Sequence, residues 1–281
     1  MNRFENQFGN PIKEGRNKNA SEWTLRTAER ANNRLQAILK PHFLQRLKDS
    51  TLSDSLPEKE ELVVWTHLSE RQRDLYEKYI VDGGKVAAVL SGEARSPLEA
   101  ITYLKKLCDH PSLVTHQKSS VDNAISESGK LDTLVHLVNH LQQNGHRCLI
   151  FSPSTRMLDI IESVMSIKLA RIDGNTRGKD RQATVDKFNA PHSNIDAMIL
   201  STKAAGCGLN LIGADRAIIY SPSWNPADDA QAVDRCYRIG QQRDVIVYRF
   251  ITGGTVEGKL IFIFVLVQHF FCFSYDLLIL R

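Results

Sequence analysis

Two rhythms alternate along the second half of the chain. The segment "KLDTLVHLVNHLQQNG" (130–145) carries apolar residues at helical spacing and ends on a glycine, which predicts an amphipathic helix. "RCLIFS", "DAMILS", "RAIIYS" and "VIVYRFI" are short, almost wholly apolar runs and predict buried strands, with "LARIDG" a further strand and turn. Between them "TRMLDIIESVM", "KDRQATVDKF" and "PADDAQAVDRCYR" return to helical spacing. Short apolar strands alternating with amphipathic helices predict an α/β fold, a parallel sheet covered by flanking helices. In such sheets functional residues gather at the carboxyl ends of the strands.

Upstream the pattern is looser. Residues 1–55 are polar and helix-prone, with "KPHFLQRLKD" near their end. "LVVWTHL" (62–68) predicts a strand and "SERQRDLYEKYI" (69–80) a helix, with Ser69 as its N-cap. A loose stretch, 82–96, precedes a helix that starts after Pro97 and stops at Pro111. "THQKSSVDNAISESG" (115–129) is polar and serine-rich and reads as a surface linker.

Composition narrows the class. The chain has 281 residues, 42% hydrophobic and 24% charged, with a formal net charge of +4; this suits a soluble globular protein and permits a nucleic-acid partner without requiring one. The five cysteines form no CxxC pair, and Cys108 with His110 supplies at most two metal ligands, so reduced buried thiols are expected and no metal site. That usage, with no apolar leader at the N-terminus, points to a reducing intracellular compartment. Lys105-Lys106 is too short for a nuclear signal. Residues 260–280 are almost wholly apolar and long enough to span a bilayer, but Gln268, His269 and Asp276 interrupt them.

Candidate chemistry concentrates in a few blocks. "DDAQAVDRCYRIGQQRD" (228–244) sets Gln231, Arg235 and Arg238 at helical spacing, which predicts arginines on neighbouring turns of one face. Their partners are either carboxylates, such as Asp228, Asp229 and Asp234, or a phosphate. "STKAAGCGLNL" (201–211) follows a strand and contains small residues that let a backbone approach a phosphate or ribose, or that merely make a tight turn. "SPSWNP" puts Trp224 and Asn225 after a strand; by type alone a tryptophan there is more often core than ligand. "DGNTRGKDR" sets Thr176, Arg177, Lys179 and Arg181 beside a helix start, which fits phosphate contacts or a solvated helix face. Ser152 closes the "LIFS" strand.

These blocks, in this order, resemble the second RecA-like lobe of helicase superfamily two, in its Swi/Snf-type DNA-translocase branch. The similarity rests on "HRCLIFS", "RIDGNTRGKDRQATVDKFN", "ILSTKAAGCGLNLIGADRAIIYSPSWNP" and "DDAQAVDRCYRIGQ" followed by "VYRFITGGTVE". Upstream, "KPHFLQRLK", "LPEKEELVVWTHLSERQRDLYEKYI" and "SPLEAITYLKKLCDHPSLV" resemble the region joining the two lobes, in wording similar to the PICH-like and Cockayne-syndrome-B-like subgroup. The resemblance implies this organisation: a first-lobe tail at 1–55, a mostly helical inter-lobe region at 56–129, a RecA-like C-terminal lobe at 130–257 and an aberrant apolar tail at 258–281.

The resemblance also implies roles. Arg235 and Arg238 correspond to the arginines that reach ATP phosphates from across the cleft between lobes, and Gln231, Gly206, Gly208 and Asn210 to the nucleotide side. Ser152, Thr176, Arg177, Arg181, Ser201, Thr202, Lys203, Trp224 and Asn225 correspond to DNA-side positions. Gln45 stands where the family has arginine, and Ala205 where it commonly has glycine. The implied partners are double-stranded DNA or chromatin, a first helicase lobe, and ATP with Mg2+ held jointly with that lobe; the implied location is the nucleus. Membrane attachment is not expected, and the apolar tail reads as a gene-model artefact, with an anchor as its rival.

The P-loop and acidic box of the family are not found in the sequence. "GGTVEGKL" comes nearest to a P-loop, with Gly253, Gly258 and Lys259, but ends in Leu260 where a magnesium-binding hydroxyl belongs. The expectation is therefore the C-terminal half of an ATP-dependent double-stranded-DNA translocase, inactive in hydrolysis by itself. The alternative is a non-enzymatic isoform that binds DNA or a partner without turnover.

Overall fold

The computed structural model describes residues 2–17, 19–42, 44, 56–81, 97–115, 120–206 and 208–259. Gln45, the loose stretch 82–96, Cys207 and the apolar run 260–280 lie outside the described residues. The chain divides into two compact units, Met1–Ser55 and Leu56–Arg281.

The first unit is helical. It comprises α1 (Asn2–Phe4), a π-helical turn (Glu5–Gly9), α2 (Asn10–Gly15) and α3 (Glu22–Leu39), with a 3-10 turn at Lys40–His42. Ser21 caps α3 by accepting from the Thr24 N–H at 3.2 Å. The close approach of α2 to α3 depends on Gly15: a Cβ there would fall 2.3 Å from that of Ala28.

The second unit is built on a six-stranded, wholly parallel sheet. In chain order its elements are β1 (Lys59–Thr66), α4 (Glu70–Val81), α5 (Pro97–Asp109), α6 (Ser112–Thr115), α7 (Val121–Ser126), α8 (Gly129–Gln143), β2 (Cys148–Ser152), α9 (Thr155–Val164), β3 (Leu169–Ile172), α10 (Gly178–Asn189), β4 (Ala197–Ser201), α11 (Thr202–Ala205), β5 (Arg216–Ile219), α12 (Pro226–Val233) and β6 (Val245–Thr252). The strand order is β1-β6-β5-β2-β4-β3.

Side chains alternate across the sheet with the two-residue period of a strand. Leu149, Phe151, Met198, Leu200, Ala217 and Ile219 enter one hydrophobic core, while Cys148, Ile150, Ala197, Ile199 and Ile218 enter the other. Burial of both faces is why these runs read as continuously apolar. A third, smaller cluster joins α4 to α5 through Tyr76, Leu104, Leu107 and Cys108, with Tyr79 stacked on Tyr103 at 4.1 Å. Gln72 secures that joint, its Nε2 donating to the carbonyls of Leu107 (2.7 Å) and Cys108 (2.9 Å).

Ser69 caps α4 as expected, in a reciprocal box: the Gln72 N–H donates to Ser69 Oγ and the Ser69 N–H to Gln72 Oε1, both at 3.1 Å. Three expectations are corrected. The strand expected at 62–68 runs Lys59–Thr66, and it pairs in parallel with β6 as the sheet's edge, Lys59 beside Val245 and Thr66 beside Thr252. Residues 115–129 are not all surface linker: they include the helix α7, whose Ala124 is buried in the second core, and the buried Ser128. The helix expected to run from Pro226 through Arg238 ends at Val233. There Asp234 N–H bonds back to Ala230, whereas Arg235 and Cys236 N–H bond back only three residues, to Ala232 and Val233. This tighter turn delivers Cys236 into the first core, and Gln241 Nε2 takes up the Cys236 carbonyl at 3.1 Å.

Candidate functional site

The loops at the carboxyl ends of the strands hold most of the polar residues singled out in the sequence. Ser152 and Ser201 end neighbouring strands in register. Ser152 Oγ accepts from the Ser154 N–H at 3.3 Å, and Ser201 Oγ caps the single turn of α11 through the Ala204 N–H at 3.2 Å. Thr202 is buried with its hydroxyl unpartnered among the described residues, and Lys203 beside it is exposed.

After β3, the loop Asp173–Thr176 closes on itself. The Asp173 N–H donates to Thr176 Oγ1 at 3.0 Å, and the Asn175 N–H donates to Asp173 Oδ1 at 2.9 Å. Arg181 reaches back from α10 to the carbonyls of Thr176 (2.8 Å) and Asp173 (3.0 Å). Its guanidinium braces the loop, and so does the Thr176 hydroxyl. Arg177, at the N-cap of α10, and Lys179 are exposed.

The second group surrounds the 206–211 loop. Arg235 is only 6% exposed; its Nη2 donates to the Gly206 carbonyl at 3.1 Å, and its own carbonyl accepts from the Leu211 N–H at 2.9 Å. Arg238, half-buried, reaches the Leu209 carbonyl at 3.4 Å. Gln231 is exposed on α12, and a Cβ on Gly206 would stand 3.4 Å from its Oε1. Gly208 adopts φ +78°, a left-handed conformation that a Cβ would strain. The side chain of Asn210 is exposed, and its carbonyl accepts from Asn189 Nδ2 at 2.8 Å. Gln231 and the two arginines therefore meet at one loop, although the arginines do not share a helical face.

The third group is the loop after β5. Trp224 is exposed, and Asn225 caps α12 by accepting from the Ala227 N–H at 3.2 Å. Two residues to which sequence reasoning assigned no part in this loop hold it. Asp229 is buried and takes the Ser223 N–H on Oδ2 at 3.0 Å; burial pushes its carboxyl up, partly offset by Ser223, Arg249 and Lys105. Lys105, from α5, donates to the Pro222 carbonyl at 2.7 Å and lies 4.7 Å from the centroid of the Trp224 ring. The signal for Lys105 was its spacing, three and four residues before Cys108 and Asp109 on the buried side of its helix.

Under the same end of the sheet, Lys130 is fully buried between two carboxylates, Asp109 (3.0 Å) and Glu257 (2.6 Å). Burial works against its charge, but the two carboxylates outweigh it and hold the ammonium above its ordinary range. Tyr220 Oη and Ser128 Oγ both donate to the Asp109 carbonyl, at 2.9 and 2.7 Å.

Among the described residues no cluster of three or more His, Cys, Asp or Glu side chains is placed to hold a metal ion, and no helix is long and apolar enough to cross a membrane. His110 engages Ser112 and the Ala124 carbonyl. Cys108, Cys148 and Cys236 are buried free thiols, each pushed up to about 12 by burial.

Residues 129–240 match the helicase conserved C-terminal domain, and residues 1–113 the SNF2-related domain. The chain is 36% identical over 318 residues to the DNA excision repair protein ERCC-6-like of Danio rerio, across 92% of this chain and 22% of that protein. It thus spans less than a quarter of that relative's length. Among solved structures, the C-terminal part of the Fun30 ATPase domain superposes with a TM-score of 0.65 at 27% identity, covering 73% of this chain and 88% of that one. The Sulfolobus solfataricus SWI2/SNF2 ATPase core in complex with double-stranded DNA superposes with a TM-score of 0.61 at 29% identity, covering 92% of this chain and 52% of that one.

Proposed function

Because the chain belongs to the SNF2-related family of Swi/Snf-type ATPases, we propose that it is the C-terminal half of an ATP-dependent translocase of double-stranded DNA, acting in chromatin remodelling or DNA repair. One observation carries the reading: Arg235 and Arg238 converge on carbonyls of the 206–211 loop, beside Gln231. A guanidinium stays charged at any physiological pH and forks onto phosphate oxygens, so two of them at a glycine-bearing loop suit developing phosphate charge.

In this reading Gly206, Gly208, Asn210 and Gln231 line the nucleotide side, and Arg235 and Arg238 complete a site whose P-loop lysine and acidic residues come from outside this sequence. ATP would supply the phosphoryl chemistry, and its Mg2+ would be held by those acidic residues. Gly206 and Gly208, the latter at positive φ, themselves carry no side chain where their backbone would approach phosphate.

The DNA side would comprise the exposed Arg177, Lys203, Trp224 and Asn225, with Ser152, Ser201 and Thr202 buried at the strand ends in this structure. Thr176 and Arg181 act there by shaping the loop that presents Arg177. Contacts of this kind address the phosphate backbone, so binding should be nearly independent of base sequence and steeply dependent on salt. Such a substrate goes with a nuclear location.

The test has two parts. The chain alone should bind duplex DNA with an affinity that falls as salt rises, and should show no DNA-stimulated ATP turnover. Joined to a first lobe that carries the P-loop, it should hydrolyse ATP, and Arg238→Ala should abolish that activity. Failure of the chain to bind duplex DNA, or an Arg238→Ala motor of normal rate, would sink the reading.

A further inference from the structure

The contact between Lys105 and Trp224 joins two parts of the fold that are 119 residues apart, and three features make it more than a chance encounter. First, Lys105 is 8% exposed, although its neighbour Lys106 is solvated. Lysine is almost never buried unless paired. Here the ammonium is taken up by the Pro222 carbonyl at 2.7 Å and by the Trp224 ring, 4.7 Å from its centroid. Second, the helix that carries Lys105 is fixed at its C-terminal end. The carbonyls of Leu107 and Cys108 accept from Gln72, that of Asp109 accepts from Ser128 and Tyr220, and the Asp109 carboxylate meets Lys130. Those are carbonyls a helix end leaves without internal partners. Third, the loop under Trp224 is held on its other side, where Asp229 takes the Ser223 N–H and Asn225 caps α12. Trp224 itself remains 45% exposed, so a large aromatic surface stays available to a ligand.

A cation against an aromatic face attracts it electrostatically, most strongly for tryptophan and most strongly when the cation is desolvated. The same ammonium fixes the backbone one peptide away from that tryptophan. We infer that Lys105 is a positioning residue for Trp224, holding the indole in the orientation with which it contacts the duplex backbone. This deepens the proposed function and rests on its reading of the β5–α12 loop as a DNA contact. It gives α5, a helix outside the conserved helicase domain match at 129–240, an indirect part in the DNA surface, exerted through Trp224.

The experiment uses the full chain and two readouts. One is affinity for a fluorescently labelled DNA duplex, measured by anisotropy. The other is the emission of Trp224, isolated as the part of the tryptophan spectrum that Trp224→Phe removes. Lys105→Met keeps the length of the side chain and removes its charge and its donor. It should shift the Trp224 emission and weaken duplex binding roughly fivefold, with the chain still folded. Lys105→Arg, which restores both cation and donor, should recover emission and affinity; loss of packing alone would not be rescued this way. Should Lys105→Met fail to fold, Lys105→Gln, which removes the charge but keeps a donor, tests the part of the effect that depends on the cation, with the same two readouts. Unchanged emission and affinity in the folded variant overturn the inference. So does a shifted emission with unchanged affinity, if Trp224→Ala in parallel weakens binding; in that case the DNA reading survives and the positioning role does not. If Trp224→Ala itself leaves affinity unchanged, the DNA reading of this loop fails, and the inference fails with it.

Discussion

Lys130 and Glu257 lie 127 residues apart in the chain and 2.6 Å apart in the fold, both shut away from water. Glu257 also accepts the Thr252 N–H at 2.9 Å on its other oxygen, so this one carboxylate ties the start of α8 to the end of β6. An ion pair taken out of water must be matched in full, because a charge left alone there keeps its desolvation cost and loses its partner. Lys130→Met should therefore lower unfolding stability by about 3–5 kcal/mol. Urea denaturation checks this, and adding Asp109→Asn with Glu257→Gln should recover part of the loss. A single variant of unchanged midpoint would refute it.

Gly129 opens α8, where a Cβ would stand 1.9 Å from the His67 carbonyl oxygen. Exchanging a helical glycine for alanine ordinarily stabilises by up to about 1 kcal/mol. Here the clash is with backbone just after β1, which cannot yield as a flexible side chain would. Gly129→Ala should instead destabilise by about 1–3 kcal/mol. The sign of the change in thermal midpoint decides between the two effects.

His110 is buried with Nε2 against the Ala124 carbonyl at 3.0 Å and Nδ1 accepting from the Ser112 N–H at 3.2 Å, which requires the neutral ring with its proton on Nε2. Burial lowers its pKa below the ordinary 6.5, with the Ala124 carbonyl opposing in part. The unfolded chain then takes up a proton near 6.5 that the folded chain refuses until lower pH. This contribution to stability is complete above 6.5 and is lost as pH falls below it towards the folded value. Denaturation midpoints between about pH 7.5 and about pH 5.5 should fall, and the fall should be shallower in His110→Gln. An identical slope in the two chains would count against the assignment.

Arg235 and Arg238 differ in burial although they share a proposed role. Arg235 is shut in behind the 206–211 loop and bonded to Gly206, whereas Arg238 is half-exposed on a long bond to Leu209. Arg235→Ala should cost stability, about 1–3 kcal/mol, while Arg238→Ala should stay within about 1 kcal/mol of the parent. In an assembled motor both should depress ATP turnover by about 10³-fold or more. Equal thermal midpoints for the two variants would contradict the burial difference.

The sequence by itself determined the alternation of helices and parallel strands, the order of the motifs and the family. It did so because the hydrophobic period is set residue by residue: a run buried on both faces has to be apolar throughout, and a helix packed on one side has to be apolar every third or fourth position. It also placed the candidate residues at strand ends. What it could not determine is which distant groups would meet. Local spacing put Arg235 and Arg238 on a continuing helix, but the turn after Val233 tightens to bring Cys236 into the core, and one arginine is buried while the other is not. Arg181 read either as a phosphate contact or as part of a solvated helix face, and spacing gave no sign that its guanidinium would reach back to the Thr176 and Asp173 carbonyls of the preceding loop. β1 joined the sheet beside β6, and Lys105 and Lys130 became buried partners of Trp224 and Glu257, across separations of more than a hundred residues. Helical spacing can say which side of its helix a lysine such as Lys105 lies on, but not whether a partner will stand there to receive its charge. That is decided only when the closed fold supplies a carbonyl, a ring or a carboxylate to replace the water it loses.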